Sequence, residues 1–400
     1  MKSSRIRVLV LIFGLMISCG GGGGSSSSGG GGGSAAAGNN VLLVTVDGSL
    51  CSNTLYLNKA CVSVTICSPG TTNCQTINDI LLDTGSYGLR IFSQVLTVPL
   101  SQVSTNSGSL AECVQFADGT ADWGPVQIAS VILGNEPAVQ VPIQVIDSTF
   151  GAPTQSQCPS PNASPSSRGA GYNGILGVGL FAHDCGSQCT TSVNNGIYYT
   201  CTGSSCTGTT VALDNQVQNP VALLPLDNNG VIIQLPSIPA TGSPSVNGSL
   251  ILGIGTQSNN MPSGAVAYTV DQHGDFSTTF NSTPYSGFID SGSNGLFFSP
   301  SPLPNCPSPN QGWFCPSSTQ QLSATNTGNT GSPTGAVSFQ IGNLDTLISS
   351  NPSNKVFNDI GGSTSGTLFD WGLPFFFGRN VFVGIEGMRS SLGTGPYWAY

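Results

Sequence analysis

Two aspartates, Asp83 and Asp290, each enter a copy of one short motif. The first copy reads Leu81-Leu82-Asp83-Thr84-Gly85-Ser86-Tyr87-Gly88-Leu89, the second Phe288-Ile289-Asp290-Ser291-Gly292-Ser293-Asn294-Gly295-Leu296. Asp, hydroxyl, Gly, Ser, Gly and Leu recur in register. A carboxylate reached from an apolar run and followed by hydroxyl-Gly-hydroxyl belongs where a buried strand turns sharply. The glycine N–H can aim inward there, and the flanking hydroxyls can fix the carboxylate by hydrogen bonds. Two such loops face to face would bring two carboxyl groups together, so that they share one proton and titrate as a pair. That pair suits hydrolysis: a carboxylate deprotonates a water while a carboxylic acid polarises the bond under attack.

Each aspartate needs a strand ahead of it, and the chain supplies short Val-, Ile-, Thr- and Phe-rich runs between Gly and Pro turns. No long segment of helical period occurs, so the fold is expected to be mostly β. From residue 39 onward the composition is globular and the chain exceeds what one core usually serves, which predicts two lobes, 39–257 with Asp83 and 258–400 with Asp290. The formal net charge is −9, from 9 basic and 18 acidic residues. That excess of acid argues against nucleic acid as a partner.

The paired loops resemble those of the pepsin-like aspartic peptidases. The resemblance implies a bilobal acid-protease fold, two β lobes related by a pseudo-twofold axis with the cleft between them. The activity it implies is endopeptidase cleavage of peptide or protein substrates, by a single chain acting as a monomer without metal or organic cofactor. It further implies that Thr84 and Ser291 brace the loops across the axis. Ser86 and Ser293 would hydrogen-bond the outer carboxylate oxygens, and Gly85 and Gly292 would lie near the substrate backbone. In that family an apolar-apolar-Gly strand packs beneath each loop. Tyr172 to Leu180, with Gly177, matches the first; Phe375-Phe376-Phe377-Gly378 is the expected second. The runs Val231–Leu235 and Gly248–Gly253 resemble the paired strands that lead from the first lobe toward the second.

The family's flap, a hairpin whose tyrosine closes over substrate, corresponds to Val114 through Gly124, with Asp118-Gly119 suited to the tip. Phe116 stands at the tyrosine position without its hydroxyl, and Trp123 is the candidate substitute. Arg90 stands where the family often has a tryptophan that communicates with that tyrosine. These departures favour a second reading, a pepsin-fold protein that binds peptides with little or no turnover. A serine hydrolase built on His183 or His273 is a third, disfavoured because no Gly-x-Ser-x-Gly elbow exists.

The segment 181–213 has no counterpart in the family pattern and reads as a disulfide-pinned insertion. The chain has 13 cysteines. Setting Cys19 aside leaves an even number, which in an exported protein predicts a disulfide framework. Close spacing suggests Cys67–Cys74, Cys306–Cys315 and bridges within the group Cys185, Cys189, Cys201 and Cys206. Zinc is the weaker reading, since only two histidines are present and no paired Cys-x-x-Cys occurs.

Residues 1–19 carry a basic start (Lys2, Arg5, Arg7), a short apolar stretch and Ser18-Cys19. This resembles a bacterial lipoprotein signal, with Cys19 as the lipidated residue; the alternative is a secreted protein cut nearby. The Gly/Ser-rich residues 20–38 would then tether the globular part to a bilayer. The expected location is the bacterial cell envelope, lipid-anchored, at the outer membrane facing the periplasm or the cell surface.

Overall fold

The computed structural model describes residues 38–52, 56–117, 119–151, 158, 166–299 and 302–400. The expected leader, Cys19 and the tether up to residue 37 lie outside them, as does Asp118. Within them the protein is mostly β. Helices are short: Ser167–Ala170, Ser187–Thr191 and Leu344–Ser350. Strand positions follow the apolar runs, as in Ala60–Cys67, where every residue except Ser63 and Thr65 is buried. Two-sided burial of this kind marks strands inside a sheet covered on both faces.

Two large sheets carry the chain. One, of 16 strands, runs from the Ser205–Gly208 edge through most strands of the first half, then through Val246–Leu252 and Gly230–Leu235 to Arg379–Gly384, Tyr397–Ala399 and Ala267–Thr269. The expected pairing of 231–235 with 248–252 is present, antiparallel, with Ile233 opposite Leu250. The other sheet, of seven strands, is formed within residues 276–371.

Each sheet contains the same three-strand unit, and each unit ends in one of the aspartate loops. In the first, Cys74–Asp83 runs parallel to Gly174–Val178, with Asp83 opposite Gly177. Gly174–Val178 in turn pairs antiparallel with Tyr87–Phe92, with Gly88 opposite Gly177. In the second, Thr283–Ile289 runs parallel to Leu368–Trp371, with Ile289 opposite Trp371. Leu368–Trp371 pairs antiparallel with Leu296–Phe298. The strand beneath the second loop is therefore Leu368–Trp371, followed by Gly372, and the expectation of Phe375-Phe376-Phe377-Gly378 is corrected. Those phenylalanines fall in a 3-10 turn, Leu373–Phe376, and just after it. Gly378, at φ 75°, then turns the chain into Arg379–Gly384 of the other sheet. A search for an apolar run passes over the true strand because an acid, Asp370, sits inside it.

Glycine is required where the loops press on this unit. A Cβ on Gly177 would lie 2.6 Å from the Tyr87 nitrogen, and one on Gly372 would lie 2.0 Å from the Gly295 oxygen. Neither neighbour is a side chain that could swing away. Trp371, fully buried, packs tilted against Phe369 with centroids 4.4 Å apart and donates its Nε1–H to Thr278 Oγ1 at 3.1 Å. An aromatic core thus backs the second unit, and such side chains dominate core energetics.

All six bridges expected from an even cysteine count are formed: Cys51–Cys61, Cys67–Cys74, Cys113–Cys158, Cys185–Cys189, Cys201–Cys206 and Cys306–Cys315. Among the described residues, cysteines also make up most of the two clusters with metal-like spacing, Cys51–Cys61–Asp79 and Cys306–Cys315–Asp345. Oxidised sulfurs supply no thiolate, so neither cluster offers a thiolate set for zinc.

One buried acid outside the loops makes stability depend on pH. Asp359 is 3 % exposed, its Oδ1 has no hydrogen-bond partner, and burial pushes its carboxyl up to about 6 from 3.8. The native protein then keeps a proton that the unfolded chain releases. This contribution is complete below the ordinary carboxylate value and is lost as pH rises through about 6, costing about 3 kcal/mol by neutral pH. Asp359→Asn is expected to retain most of that stability at neutral pH and to change little in acid. Urea unfolding of both proteins in acid and at neutral pH checks this; equal losses on raising the pH would show that Asp359 is not responsible.

Candidate active site

The two aspartate loops interlock through their hydroxyl residues. Thr84 Oγ1 donates to the Ile289 carbonyl at 2.8 Å and accepts from the Ser291 N–H at 2.9 Å. Ser291 Oγ donates to the Leu82 carbonyl at 2.8 Å and accepts from the Thr84 N–H at 3.1 Å. Each hydroxyl is used as donor and acceptor, and each reaches across to the other loop. All four bonds are buried, where an unmade hydrogen bond is most costly. Thr84 and Ser291, expected from sequence as braces, are brought together.

The carboxyls sit inside this lock. Asp83 Oδ1 accepts from the Gly85 N–H at 2.7 Å, and its Oδ2 accepts from the Ser86 hydroxyl. Asp290 Oδ1 accepts from the Gly292 N–H at 2.8 Å, and its Oδ2 accepts from Ser293 Oγ at 2.8 Å. Both inward glycine donors and both serine contacts anticipated from the motif are present. A methyl group on Gly292 would lie 2.8 Å from Asp83 Oδ1 and 3.1 Å from Asp290 Oδ1. The bare glycine backbone therefore faces both carboxyls at once. In the first copy the left-handed backbone falls not at Gly85 but at Gly88, φ 95°, whose absent side chain also makes room for Val217.

Both aspartates are fully out of solvent. Burial, then the neighbouring Asp290 charge, hold the Asp83 carboxyl well above the ordinary range. Burial also raises Asp290, but donation from Asp83, Ser293 and the loop amides opposes the rise. Both carboxyls are thus held above the ordinary range side by side, so one proton shared between them is the favoured state. An acid and a base side by side is what acid–base hydrolysis requires.

The strands Ser109–Gln115 and Ala121–Ile132 form the anticipated hairpin, closed by the Phe116 N–H on the Thr120 carbonyl and the Gly119 N–H on the Phe116 carbonyl. Gly119, φ 88°, supplies its left-handed turn residue. Phe116 is buried and packs with Tyr56, Tyr172 and Ile175. Trp123, by contrast, is fully buried in the hairpin's own core, 5.4 Å from Tyr199, with Nε1–H on the Phe150 carbonyl. It is a core residue of the hairpin, which corrects its reading as a substitute for a flap tyrosine. A phenol reaches the second loop from Tyr56, whose hydroxyl donates to the Gly292 carbonyl at 3.3 Å. Sequence reasoning missed Tyr56; the one available signal is its place between Cys51 and Cys61, in a segment that a bridge pins.

Arg90 and the insertion are one structure. The insertion strand Tyr198–Thr202 pairs with the hairpin strand Ser109–Gln115, with Tyr198 opposite Glu112. Arg90 Nη2 meets Glu112 Oε1 at 2.8 Å and Asp184 Oδ2 at 3.2 Å, and Tyr198 donates to Asp184 Oδ1 at 2.7 Å. All four side chains are buried. The insertion therefore widens the hairpin sheet, and Arg90 ties hairpin, insertion and first aspartate loop together.

Residues 36–400 match the model for DUF3443, protein of unknown function. The chain belongs to that family. No curated protein matches it. The match takes in both aspartate loops, the hairpin and the insertion, so the assembly described above lies wholly within the family's domain.

Proposed function

We propose that this member of the DUF3443 family is an aspartic endopeptidase on a bilobal, pepsin-like scaffold, with Asp83 and Asp290 as its catalytic pair. The observation that carries the reading is the crossed hydroxyl lock of Thr84 and Ser291 holding two buried, adjacent carboxyls. A protein that needed only a strand-ending turn would have no use for the arrangement twice, joined. The two matched three-strand units support the two-lobed reading.

In this mechanism Asp290 takes a proton from water as the water oxygen bonds to the scissile carbonyl carbon. Asp83 gives its proton to the carbonyl oxygen, and a neutral tetrahedral diol results. As the C–N bond breaks, Asp290 passes its proton to the amine and Asp83 recovers one from the diol hydroxyl, restoring the starting state. The substrate is a peptide or an unfolded protein. The proposed setting is the bacterial envelope, with the monomeric domain anchored through lipid on Cys19.

One set of observations favours a second reading, binding without turnover. Neither carboxyl is exposed to the solvent from which an attacking water must come. Purified protein is therefore to be incubated with an unfolded protein from acid to neutral pH, with and without pepstatin. Pepstatin-sensitive cleavage is the expected result. Pepstatin binding with no cleavage at any pH would replace the peptidase with the binder.

A further inference from the structure

The second loop carries a third carboxyl that the first loop lacks. Ser293 Oγ lies 2.8 Å from Asp290 Oδ2 and 2.6 Å from Asp370 Oδ2. Asp290 is fully buried and Asp370 is 1 % exposed. A serine hydroxyl has one proton to donate. Were both acids ionised, one of these two contacts would be an oxygen–oxygen contact with no proton in it, between groups that cannot turn to water. A carboxyl proton must therefore lie in the chain Asp370–Ser293–Asp290. Its position follows from the other donors. Asp290 already accepts the Gly292 N–H on Oδ1 and stands against the Asp83 carboxyl, so Asp290 is the acceptor end and Asp370 the acid end.

The register gives an internal control. In the second unit Phe288 is opposite Asp370, and in the first unit Leu81, at the matching place in the motif, is opposite Ile175. Ile175 is fully buried and apolar. One residue thus makes the two loops differ: Ser86 serves Asp83 with no acid behind it, whereas Ser293 serves Asp290 with Asp370 behind it.

We infer that Asp370 is a positioning residue that keeps a proton and, through Ser293, fixes Asp290 as the base of the pair. The carboxylic O–H of Asp370 donates to Ser293 Oγ, and the Ser293 hydroxyl is thereby committed to Asp290 Oδ2. Linked donors of this kind strengthen one another in a low-dielectric site. The shared proton of the pair is left to Asp83. The inference rests on reading Asp83 and Asp290 as a catalytic pair, and it names which member does what. Through Ser293, Asp370 faces Asp290, with Asp83 beyond it; its ladder partners Phe288 and Phe297 carry no titratable group.

The test compares the full-length protein with Asp370→Asn, whose amide can still donate to Ser293, and with Asp370→Ile, the residue its counterpart carries. Infrared absorption of protonated carboxyl groups is read at neutral pH on folded samples. Asp370→Asn is expected to remove one such band, and a spectrum that loses none would overturn the inference by showing Asp370 ionised. This arm needs no turnover. A folded protein that cleaves nothing would count against the peptidase while the band still decided Asp370. Where cleavage is measured, Asp370→Ile is expected to lose about three- to tenfold in kcat/KM on the acid side, with the acid limb moved up, while Asp370→Asn keeps the limb in place. Profiles that coincide in shape for all three proteins would mark Asp370 as a packing residue and overturn the inference.

Discussion

Asp83→Asn and Asp290→Asn are each expected to lower peptide cleavage by at least about 10²–10⁴-fold, and the double variant to be little worse than either single one. The near-absence of a further loss follows from the mechanism. Each carboxyl completes the other's step, so removing one disables both, and a sum of two independent losses would argue for separate roles. The same substitutions are expected to leave the fold intact. Burial and the neighbouring charge raise Asp83, so its ionised form is the unfavourable one inside the protein. A group raised in this way contributes stability in acid that is lost as pH climbs through its folded value, and the amide does not ionise. Asp83→Asn should therefore unfold at the same denaturant concentration as the parent in acid and at a higher one at neutral pH. Cleavage assays and urea titrations on the same preparations separate the two effects. Cleavage retained by either single variant would sink the paired mechanism, whereas cleavage lost together with stability would leave it undecided between chemistry and folding, which is why both are measured.

The loops were legible in sequence because their chemistry is local. The contacts of Gly85 and Ser86 with Asp83, and of Gly292 and Ser293 with Asp290, span two or three residues, so the motif itself carries the geometry. The bridges Cys67–Cys74 and Cys306–Cys315 were readable for the same reason, since only a short chain separates their partners. What was not legible is contact between distant residues. Asp370 reaches Ser293 across 77 residues, and Tyr56 reaches Gly292 across 236. Asp370 was doubly hidden, because a polar residue in a central strand breaks the apolar pattern by which such strands are found. The phenylalanine run at 375–377 fits the apolar pattern better, yet its residues pack after the strand and not within it. The same limit applies to the insertion. Its cysteines announced small bridged loops, and Cys185–Cys189 and Cys201–Cys206 are such loops. That its strand extends the hairpin is a matter of pairing partners, and no local signal specifies those.

Arg90 is the clearest case of a residue whose sequence reading and structural role differ, and it carries the second large prediction. From sequence it was a departure at a position associated with the flap; in the structure it is the centre of a buried ionic cluster. Its guanidinium is fully buried, bonded to the Tyr87 carbonyl at 2.6 Å as well as to Glu112 and Asp184. Burial opposes its charge, but the two carboxylates outweigh burial and hold the guanidinium above its ordinary value. Asp184 is pushed up, by burial first and then by Glu112, so the cluster holds its second negative charge at a cost. Arg90→Met removes the cation and leaves Glu112 buried without it. The expected cost is about 3–5 kcal/mol, the range for stranding one member of a buried pair. Adding Glu112→Gln removes the stranded charge and is expected to recover more than half of that loss, because an amide can be buried with far less penalty than a carboxylate. Urea unfolding of the parent, the single and the double variant decides it. A single variant within about 1 kcal/mol of the parent would mean that the cluster relaxes by taking up a proton or water. A double variant no better than the single would mean that the guanidinium's packing against the loop, and not its charge, holds the hairpin in place.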